Sequence, residues 1–229
     1  MSESDRERWN RKYAAGEGPA HFEPKEFLLE RADLLAGGRA LDVACGFGGN
    51  ALYLAALGYH VDGVDISEVG LTQAHDAARE RGLQNKIQFI QADIDRWWVP
   101  PARYDLILVF FYLNRGLMPR LAQGLRPGGL LFEANRNRRL LQTRPGFDPD
   151  YLLELGELRQ MALDAGLEVI YFADGTPERD SDARLIARAP RYSICRPQVH
   201  PGGRAPRSRT RSQASRICCS SSRVSGTCP

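Results

Sequence analysis

Apolar runs and amphipathic segments alternate along the first 190 residues of the chain. Nearly continuous apolar runs are typical of buried strands in a parallel sheet, whereas apolar residues three and four positions apart are typical of helices. These patterns predict seven strands, at residues 40–44, 61–65, 87–90, 105–111, 130–133, 167–172 and 184–187. Helices are predicted at 5–14, 24–35, 50–57, 115–125 and 150–165, together with one that Ser67 caps and Gly82 ends.

The order of these elements predicts an α/β fold with a doubly wound, mainly parallel sheet and helices on both faces. The last two strands are separated by the polar stretch 174–177, which is too short for the crossover that parallel neighbours need. We therefore expect a seven-stranded sheet that is parallel except for a final antiparallel strand.

Composition places the chain among ordinary globular proteins. It has 229 residues, of which 43% are hydrophobic and 26% charged. No stretch approaches the roughly 18 apolar residues that a membrane span needs. Five of the first eight residues are charged, and the segment lacks the apolar core of a secretory signal, so we expect a cytoplasmic protein without a membrane partner.

The net charge of +3 averages two unlike regions. Residues 191–229 contain eight arginines and no acid, which leaves a net charge of −5 on residues 1–190. The same tail holds four of the five cysteines and no Leu, Phe, Met or Trp, so it has little apolar surface to bury. We predict a folded domain at 1–190, whose first 36 residues form a helical lid region, and a disordered basic tail at 191–229 that is either functional or an aberrant extension.

Cysteine and histidine positions predict no metal site. The domain contains only Cys45, so a disulfide framework is not expected there, and the tail cysteines match no zinc spacing.

A glycine-rich loop directly follows the first predicted strand and leads into a helix. Gly46 and Gly48 allow a ligand to approach the backbone at the sheet edge where open α/β folds bind ligands. Three acids mark the ends of successive strands, namely Asp42, Asp65 and Asp93. Inside an apolar strand Asp42 suits a cationic group, Asp65 can accept both hydroxyls of a ribose, and Asp93 can accept a hydrogen bond from an exocyclic amine. This pattern predicts a site for an adenosine-containing ligand with a cationic group.

Each acid also has a purely structural interpretation. Asp42 could bind a neighbouring backbone amide, and Asp65 or Asp93 could cap the helix that follows it.

The segment 41–50, which reads Leu-Asp-Val-Ala-Cys-Gly-Phe-Gly-Gly-Asn, resembles the first motif, D-x-A/G-C/x-G-x-G, of the class I S-adenosylmethionine-dependent methyltransferases. Residues 61–67 are similar to the family's ribose-binding strand, and residues 92–94 to its adenine segment. Residues 104–107 are similar to its fourth strand, and residues 125–129 to the turn before its fifth strand. The resemblance covers residues 9–189 and implies a Rossmann-like fold.

A finer resemblance, to the small tellurite-resistance and thiopurine-type methyltransferases, is based on Trp9, Tyr13 and residues 156–158. Trp9 and Tyr13 are expected to fold over the cofactor as a lid.

The resemblance implies S-adenosylmethionine as the cofactor and S-adenosylhomocysteine as the product. The residues implied to bind the cofactor are Asp42, Ala44, Cys45, Gly46, Gly48, Asn50, Asp65, Ile66, Asp93, Ile94 and Phe110. Asp42 and the 44–46 backbone would hold the methionine part and Asp65 the ribose. Ile66 would pack on the adenine, whose edge Asp93 and Ile94 would bind.

The implied reaction is in-line transfer of a methyl group to a small acceptor such as a thiol or a chalcogen oxyanion. The acceptor wall is expected at residues 110–115 and at Asn135 and Arg136, where Tyr112 or Arg115 would orient a small anion. An Asn-Pro-Pro-Tyr segment is absent, which argues against a nucleic-acid acceptor. Catalytic residues are not identified, and the chain is either a monomer or a homodimer.

Two other classes of function fit parts of the pattern. The spacing Gly46-x-Gly48-x-x-Ala51 and Asp65 also match an NAD(P)-dependent oxidoreductase, although Asp42 is poorly suited to a pyrophosphate. A non-catalytic nucleotide-binding or nucleic-acid-binding protein would use the same acids or the basic tail.

Overall fold

The computed structural model describes residues 3–16, 22–175 and 181–191. In chain order its elements are α1 (Glu3–Ala14), α2 (Glu26–Leu29), a 3₁₀ helix (Ala32–Leu34), β1 (Arg39–Val43), α3 (Gly49–Ala56), β2 (His60–Asp65), α4 (Glu68–Glu80), β3 (Ile87–Gln91), β4 (Tyr104–Phe110), α5 (Met118–Gly124), β5 (Leu125–Arg136), α6 (Leu140–Thr143), a 3₁₀ helix (Pro149–Tyr151), α7 (Glu157–Asp164), β6 (Glu168–Asp174) and β7 (Asp182–Arg188). Apart from Arg191, the predicted basic tail lies outside the described residues.

The seven strands form one sheet in the order β3-β2-β1-β4-β5-β7-β6. Strands β1 to β5 are parallel, and β7 is antiparallel to both of its neighbours, β5 and β6. The predicted α/β sheet is therefore confirmed. Its strand order reverses between β1 and β4, and a crevice for ligands opens at such a switch point outside the carboxyl ends of the strands.

Burial explains why the last strand in sequence is not the edge strand. Residues Ala183, Leu185, Ile186 and Ala187 of β7 are fully buried. No residue of strand β6 is buried, and its Ile170 faces solvent. The more apolar β7 therefore lies inside the sheet and leaves β6 at the edge.

Two predicted helices are shorter than the sequence pattern suggested. The segment expected to be helical at 150–165 contains a 3₁₀ helix and then α7, because Gly156 adopts φ +82° immediately before α7. The segment at 24–35 likewise divides into α2 and a 3₁₀ helix. Ser67 does cap α4 as predicted, since its hydroxyl accepts a hydrogen bond from the Gly70 amide at 3.2 Å.

The fifth strand is longer than predicted because Pro127-Gly128-Gly129 bends it and does not end the preceding helix. The pairing of β4 with β5 shifts register between Tyr104 and Leu106, and Gly128 has φ +82°. A β-carbon on Gly129 would lie 3.0 Å from the carbonyl oxygens of Arg126 and Tyr104. The two glycines therefore allow an irregularity within β5.

Apolar side chains cover both faces of the sheet. Helices α5 and α7 pack on one face, through residues such as Leu121 and Leu158, and α2, α3 and α4 pack on the other, through residues such as Leu28, Leu52 and Ala78. Each fully buried Leu stabilises the fold by about 1.5–3 kcal/mol. Among the described residues, no helix combines the length and the apolar character that crossing a membrane requires.

An acid is buried in the middle of β5. The Glu133 side chain is 4% exposed, and its Oε1 accepts a hydrogen bond from Asn135 Nδ2 at 3.0 Å. Asn135 Nδ2 also donates to the Tyr112 carbonyl at 3.2 Å, which links β5 to the segment after β4. Burial raises the pKa of Glu133 to about 8, because the charged form is poorly solvated there.

This burial predicts how stability depends on pH. The folded-state pKa of Glu133 is above its ordinary value, so its stabilising contribution is complete below about pH 4.5 and is lost as pH rises to about 8. The side chain in Glu133→Gln does not titrate. We therefore expect the free energy of unfolding of this variant to rise relative to that of the wild type over this pH range, by roughly 1.4 kcal/mol per unit of pKa shift. Urea unfolding of both proteins at pH 5, 7 and 9 measures the difference. The exposed Glu80→Gln is the control, and pH curves that run parallel for wild type and Glu133→Gln would contradict the expectation.

Candidate functional site

A cavity of about 240 Å³ lies at the carboxyl ends of β1, β2 and β4, at the switch point of the sheet. Eight of the predicted cofactor-binding residues line it, namely Asp42, Ala44, Cys45, Gly46, Asn50, Asp65, Ile66 and Phe110. The remaining lining residues are Trp9, Tyr13, Lys25, Val43, Phe111 and Tyr112. The structure thus brings together residues from β1, β2, β4, α1 and the segment before α2.

The loop between β1 and α3 has an unusual backbone that opens it toward the cavity. Ala44, Gly46 and Gly48 adopt positive φ angles of 55°, 54° and 73°. The Cys45 amide continues the sheet by donating to the Val64 carbonyl at 3.1 Å. A β-carbon on Gly46 would lie 2.7 Å from the Tyr13 hydroxyl, so the glycine lets that tyrosine rest on the loop.

Asp65 joins this loop to the turn after β2. Its Oδ2 accepts a hydrogen bond from the Gly46 amide and its Oδ1 one from the Ser67 amide, both at 2.8 Å. Burial raises the pKa of Asp65, and the hydrogen bonds from the two amides oppose that rise. Each carboxylate oxygen keeps further acceptor capacity, so the pair of oxygens suits the two hydroxyls of a ribose.

Asp42 carries an unsatisfied oxygen at the cavity wall. Its side chain is 1% exposed, and its Oδ1 accepts a long hydrogen bond of 3.4 Å from Asn50 Nδ2. Its Oδ2 is buried without a partner among the described residues. The pKa of Asp42 is raised to about 7, chiefly by burial and to a smaller extent by the charge of Asp65. The Asn50 side chain, the Ala51 amide and the charge of Lys25 oppose this rise. A buried carboxylate with an unpartnered oxygen is stabilised by a ligand that brings a positive charge or hydrogen-bond donors.

Cys45 is a packing residue in this site. Burial raises the pKa of its thiol well above the usual range, and the carboxylates of Asp42 and Asp65 add to the effect. The thiol stays protonated, so it is not an activated nucleophile.

Three predicted site residues, all within the described part of the chain, lie outside the cavity lining. Gly48 faces Phe89 and Ala74 at the start of α3. Asp93 accepts a hydrogen bond from the Asp95 amide at 3.0 Å and forms the turn that follows β3. Ile94 is 1% exposed in the core.

Helix α1 covers one side of the cavity. Tyr13 is buried and packs between Phe47 and Trp9, with ring centroids 4.5 Å and 5.6 Å away. The Ser67 hydroxyl donates to Asn10 Oδ1 at 2.6 Å, which attaches α1 to the start of α4. The hypothesis of an N-terminal lid fits this arrangement and stays a prediction.

The expected acceptor wall is present in part. Phe111 and Tyr112 line the cavity, whereas Arg115 holds the start of α7 by an ion pair with Glu157 and a 2.9 Å hydrogen bond to the Leu152 carbonyl. Arg115 is therefore occupied in a structural role and not available to orient an anion. The three arginines at 136–139 also have partners, which are Asp182 for Arg136, Glu154 for Arg138 and the Asp174 carbonyl for Arg139.

Lys25 is the cavity residue for which the sequence carried no signal. It precedes Asp42 by 17 positions and belongs to no recognisable motif. Its amide donates to Asn50 Oδ1 at 2.8 Å, and this backbone contact brings it to the site. Among the described residues, no group of three or more His, Cys, Asp or Glu side chains is placed to hold a metal ion.

Known proteins resemble this chain in sequence. A family described as a methyltransferase domain matches residues 40–129. A ubiquinone biosynthesis O-methyltransferase from Azoarcus sp. (strain BH72) is 31% identical over 184 residues, which cover 68% of this chain and 78% of that protein. Methyltransferase GfsG of Streptomyces halstedii is 35% identical over 112 residues, 46% of this chain. The chain spans 40% of the length of GfsG and 41% of that of sterol 24-C-methyltransferase ERG6B of Gibberella zeae.

Solved structures share the fold. One, titled "Conversion of a Disulfide Bond into a Thioacetal Group during Echinomycin Biosynthesis", has a TM-score of 0.63 at 24% identity and covers 83% of this chain and 94% of that one. The [4+2]-cyclase SpnF has a TM-score of 0.62 at 21% identity, and the match covers 80% of this chain and 92% of that one. At these identities the likeness shows the fold alone.

The positive φ of Ala44 leads to a stability prediction. A left-handed conformation costs a residue with a β-carbon about 1–2 kcal/mol, which exceeds the entropic cost of a glycine in the unfolded chain. We expect Ala44→Gly to leave the free energy of unfolding unchanged or to raise it by up to about 1 kcal/mol. In helix α5, Ala122→Gly should lower it by about 1 kcal/mol or more. Urea unfolding compares the two variants, and equal losses would show that Ala44 is not strained.

Proposed function

The chain belongs to the class I S-adenosylmethionine-dependent methyltransferases, and from this we propose that it transfers a methyl group from that cofactor to a small-molecule acceptor by in-line displacement. The observation that carries the proposal is the buried, unpartnered Oδ2 of Asp42 at the cavity wall. A pyrophosphate would be repelled there, whereas the positively charged methionine part of S-adenosylmethionine would satisfy it.

The residues present fit this cofactor. Asp42 and the backbone at 44–46 would hold the methionine part, Asp65 would accept the ribose hydroxyls, and Ile66 would pack on the adenine. Gly48, Asp93 and Ile94 were assigned to the cofactor by resemblance, and their roles stay predictions.

When bound, S-adenosylmethionine supplies a methyl group already activated by its sulfonium. The chain then has to hold the acceptor and exclude water. The wall formed by Phe110, Phe111 and Tyr112 would position the acceptor, and Trp9 and Tyr13 of α1 would cover the site. Such positioning is worth roughly 7–11 kcal/mol when reactants are well oriented. A sulfur or other chalcogen nucleophile needs no strong general base.

The proposed acceptor is a thiol, a chalcogen oxyanion or a similar small molecule. The resemblance to tellurite-resistance and thiopurine-type enzymes motivates the first two. A relative named as an O-methyltransferase and others named as C-methyltransferases motivate phenols and quinols in the same screen.

Calorimetric titration with S-adenosylhomocysteine and, separately, with NAD tests the cofactor. We expect micromolar binding of S-adenosylhomocysteine and none of NAD. Asp65→Asn should weaken the former at least about tenfold, because a charged acceptor is lost. Asp76→Asn, on the exposed face of α4, is the matched control.

Thermal unfolding of Asp65→Asn establishes that it is folded, since Asp65 also holds two backbone amides. Binding of NAD alone would favour the oxidoreductase. Binding of S-adenosylhomocysteine with no turnover of any acceptor would favour the non-catalytic alternative.

Asp42 predicts a pH dependence of cofactor binding. Its pKa in the free protein is about 7, and the α-ammonium of S-adenosylhomocysteine would pair with the ionised carboxylate. Affinity for S-adenosylhomocysteine should therefore fall as pH drops below 7, approaching about tenfold per pH unit. Titrations of wild type and Asp42→Asn at pH 6, 7 and 8 provide the measurement. The variant should bind more weakly, with a flatter pH profile, and an unchanged slope in it would assign the dependence to another group.

A further inference from the structure

Phe111 has two unusual properties at the mouth of the cavity. It is the residue directly after β4, and it adopts φ +58°, a conformation that bulky side chains rarely take. Its ring is 39% exposed although it lines the cavity. A strained and exposed aromatic residue beside a ligand site is a candidate for a functional role.

Strand β5 holds this strained conformation in place. The Phe111 amide donates to the Ala134 carbonyl at 2.8 Å. The next carbonyl, that of Tyr112, accepts from Asn135 Nδ2, which also donates to the buried Glu133. These bonds fix the backbone on both sides of the ring, so its position is enforced by the fold.

Two cations flank the Phe111 ring. Lys25 Nζ lies 5.7 Å from the ring centroid and Arg136 Cζ lies 4.6 Å from it. Both are close enough for attraction to the ring face. They reach it from distant parts of the chain, one from the segment before α2 and the other from the end of β5.

Arg136 keeps donors for a ligand. It forms an ion pair with Asp182, whose side chain is only 2% exposed, while the arginine itself is 38% exposed. A guanidinium has five N–H donors, and one carboxylate uses at most two of them well. Asp182 therefore orients the guanidinium and leaves N–H donors available for a ligand.

We propose that Phe111, Lys25 and Arg136 form an acceptor subsite that binds a flat apolar molecule carrying an anionic group. The ring supplies the apolar contact, and the two cations bind the anion. This inference rests on the proposed function and specifies the class of acceptor. In the proposed assignment the carboxylates of Asp42 and Asp65 face the cofactor, and Lys25 and Arg136 face the acceptor. Lys25 lines the cavity, whereas Arg136 is outside its lining and lies over the Phe111 ring.

The test compares benzoate with its neutral isostere benzamide. Each is titrated into the full chain saturated with S-adenosylhomocysteine, and binding is followed by NMR, which measures millimolar affinities. We expect benzoate to bind about tenfold more tightly than benzamide, with a preference that weakens as salt is added. Phenyl phosphate is the third probe, and the tighter of the two anions identifies carboxylate or phosphate as the preferred group.

Three variants locate the effect. Lys25→Gln should reduce the preference for benzoate about threefold or more, and Lys25→Arg should restore it. Arg136→Lys keeps the charge beside the buried Asp182 but loses the planar fork, so it should fold and lose part of the preference. Phe111→Gly relieves the positive φ, which offsets part of the apolar burial lost with the ring, so it should fold while binding of both probes weakens.

Lys12→Gln is the matched control. Lys12 Nζ lies over the Trp9 ring at 4.9 Å, whereas Lys25 and Arg136 lie over the Phe111 ring, so removing the Lys12 charge should leave the preference intact. The subsite would be overturned by equal binding of benzoate and benzamide, by no binding of either anion, or by equal effects of Lys12→Gln and Lys25→Gln. If S-adenosylhomocysteine does not bind, the probes are titrated into the free chain, which separates failure of the proposed function from failure of the subsite.

Discussion

The carboxylate of Asp65 accepts hydrogen bonds from the amides of Gly46 and Ser67, both at 2.8 Å. These two bonds connect the loop after β1 to the turn after β2 and make one rigid wall from two neighbouring strand ends. A buried carboxylate without such donors would be strongly destabilising. The positive φ of the glycine loop, the cap of α4 at Ser67 and the attachment of α1 through Asn10 all meet at this wall. The shape of the site therefore depends on one ionisable side chain.

Two buried acids, one in the site and one in β5, make the domain less stable than purely apolar residues would. The pKa values of Asp42 and Glu133 are raised to about 7 and 8, because neither carboxylate is fully compensated when charged. A ligand that brings a positive charge to Asp42 would stabilise the fold as it binds, since anything that binds the native state alone shifts the folding equilibrium. In the proposed assignment this negative half of the cavity holds the cofactor, and the positive half around Phe111 holds the acceptor.

Much of the fold could be predicted because each strand and its following loop carry a local signal. The seven strands, the antiparallel β7 and the Ser67 cap were predicted from apolar runs, loop length and capping chemistry, and the structure has them. The predicted helix at 150–165 and the predicted start of β5 at residue 130 were wrong, because a glycine can end a helix or bend a strand. Gly156 breaks a helix that the apolar spacing favoured, and Gly128 and Gly129 bend a strand that continues.

The sequence by itself determined the strand–glycine–helix loop and the acids Asp42 and Asp65, because residues close together in the chain and at successive strand ends are brought together by any doubly wound sheet. The sequence could not indicate that Arg115 forms an ion pair with Glu157, or that Lys25 and Arg136 both contact the Phe111 ring. Those contacts depend on β5 lying beside β4 and on the segment before α2 passing over Asn50. Only the tertiary structure decided them, since ion pairs and cation–π contacts between distant segments leave no periodicity or spacing along the chain.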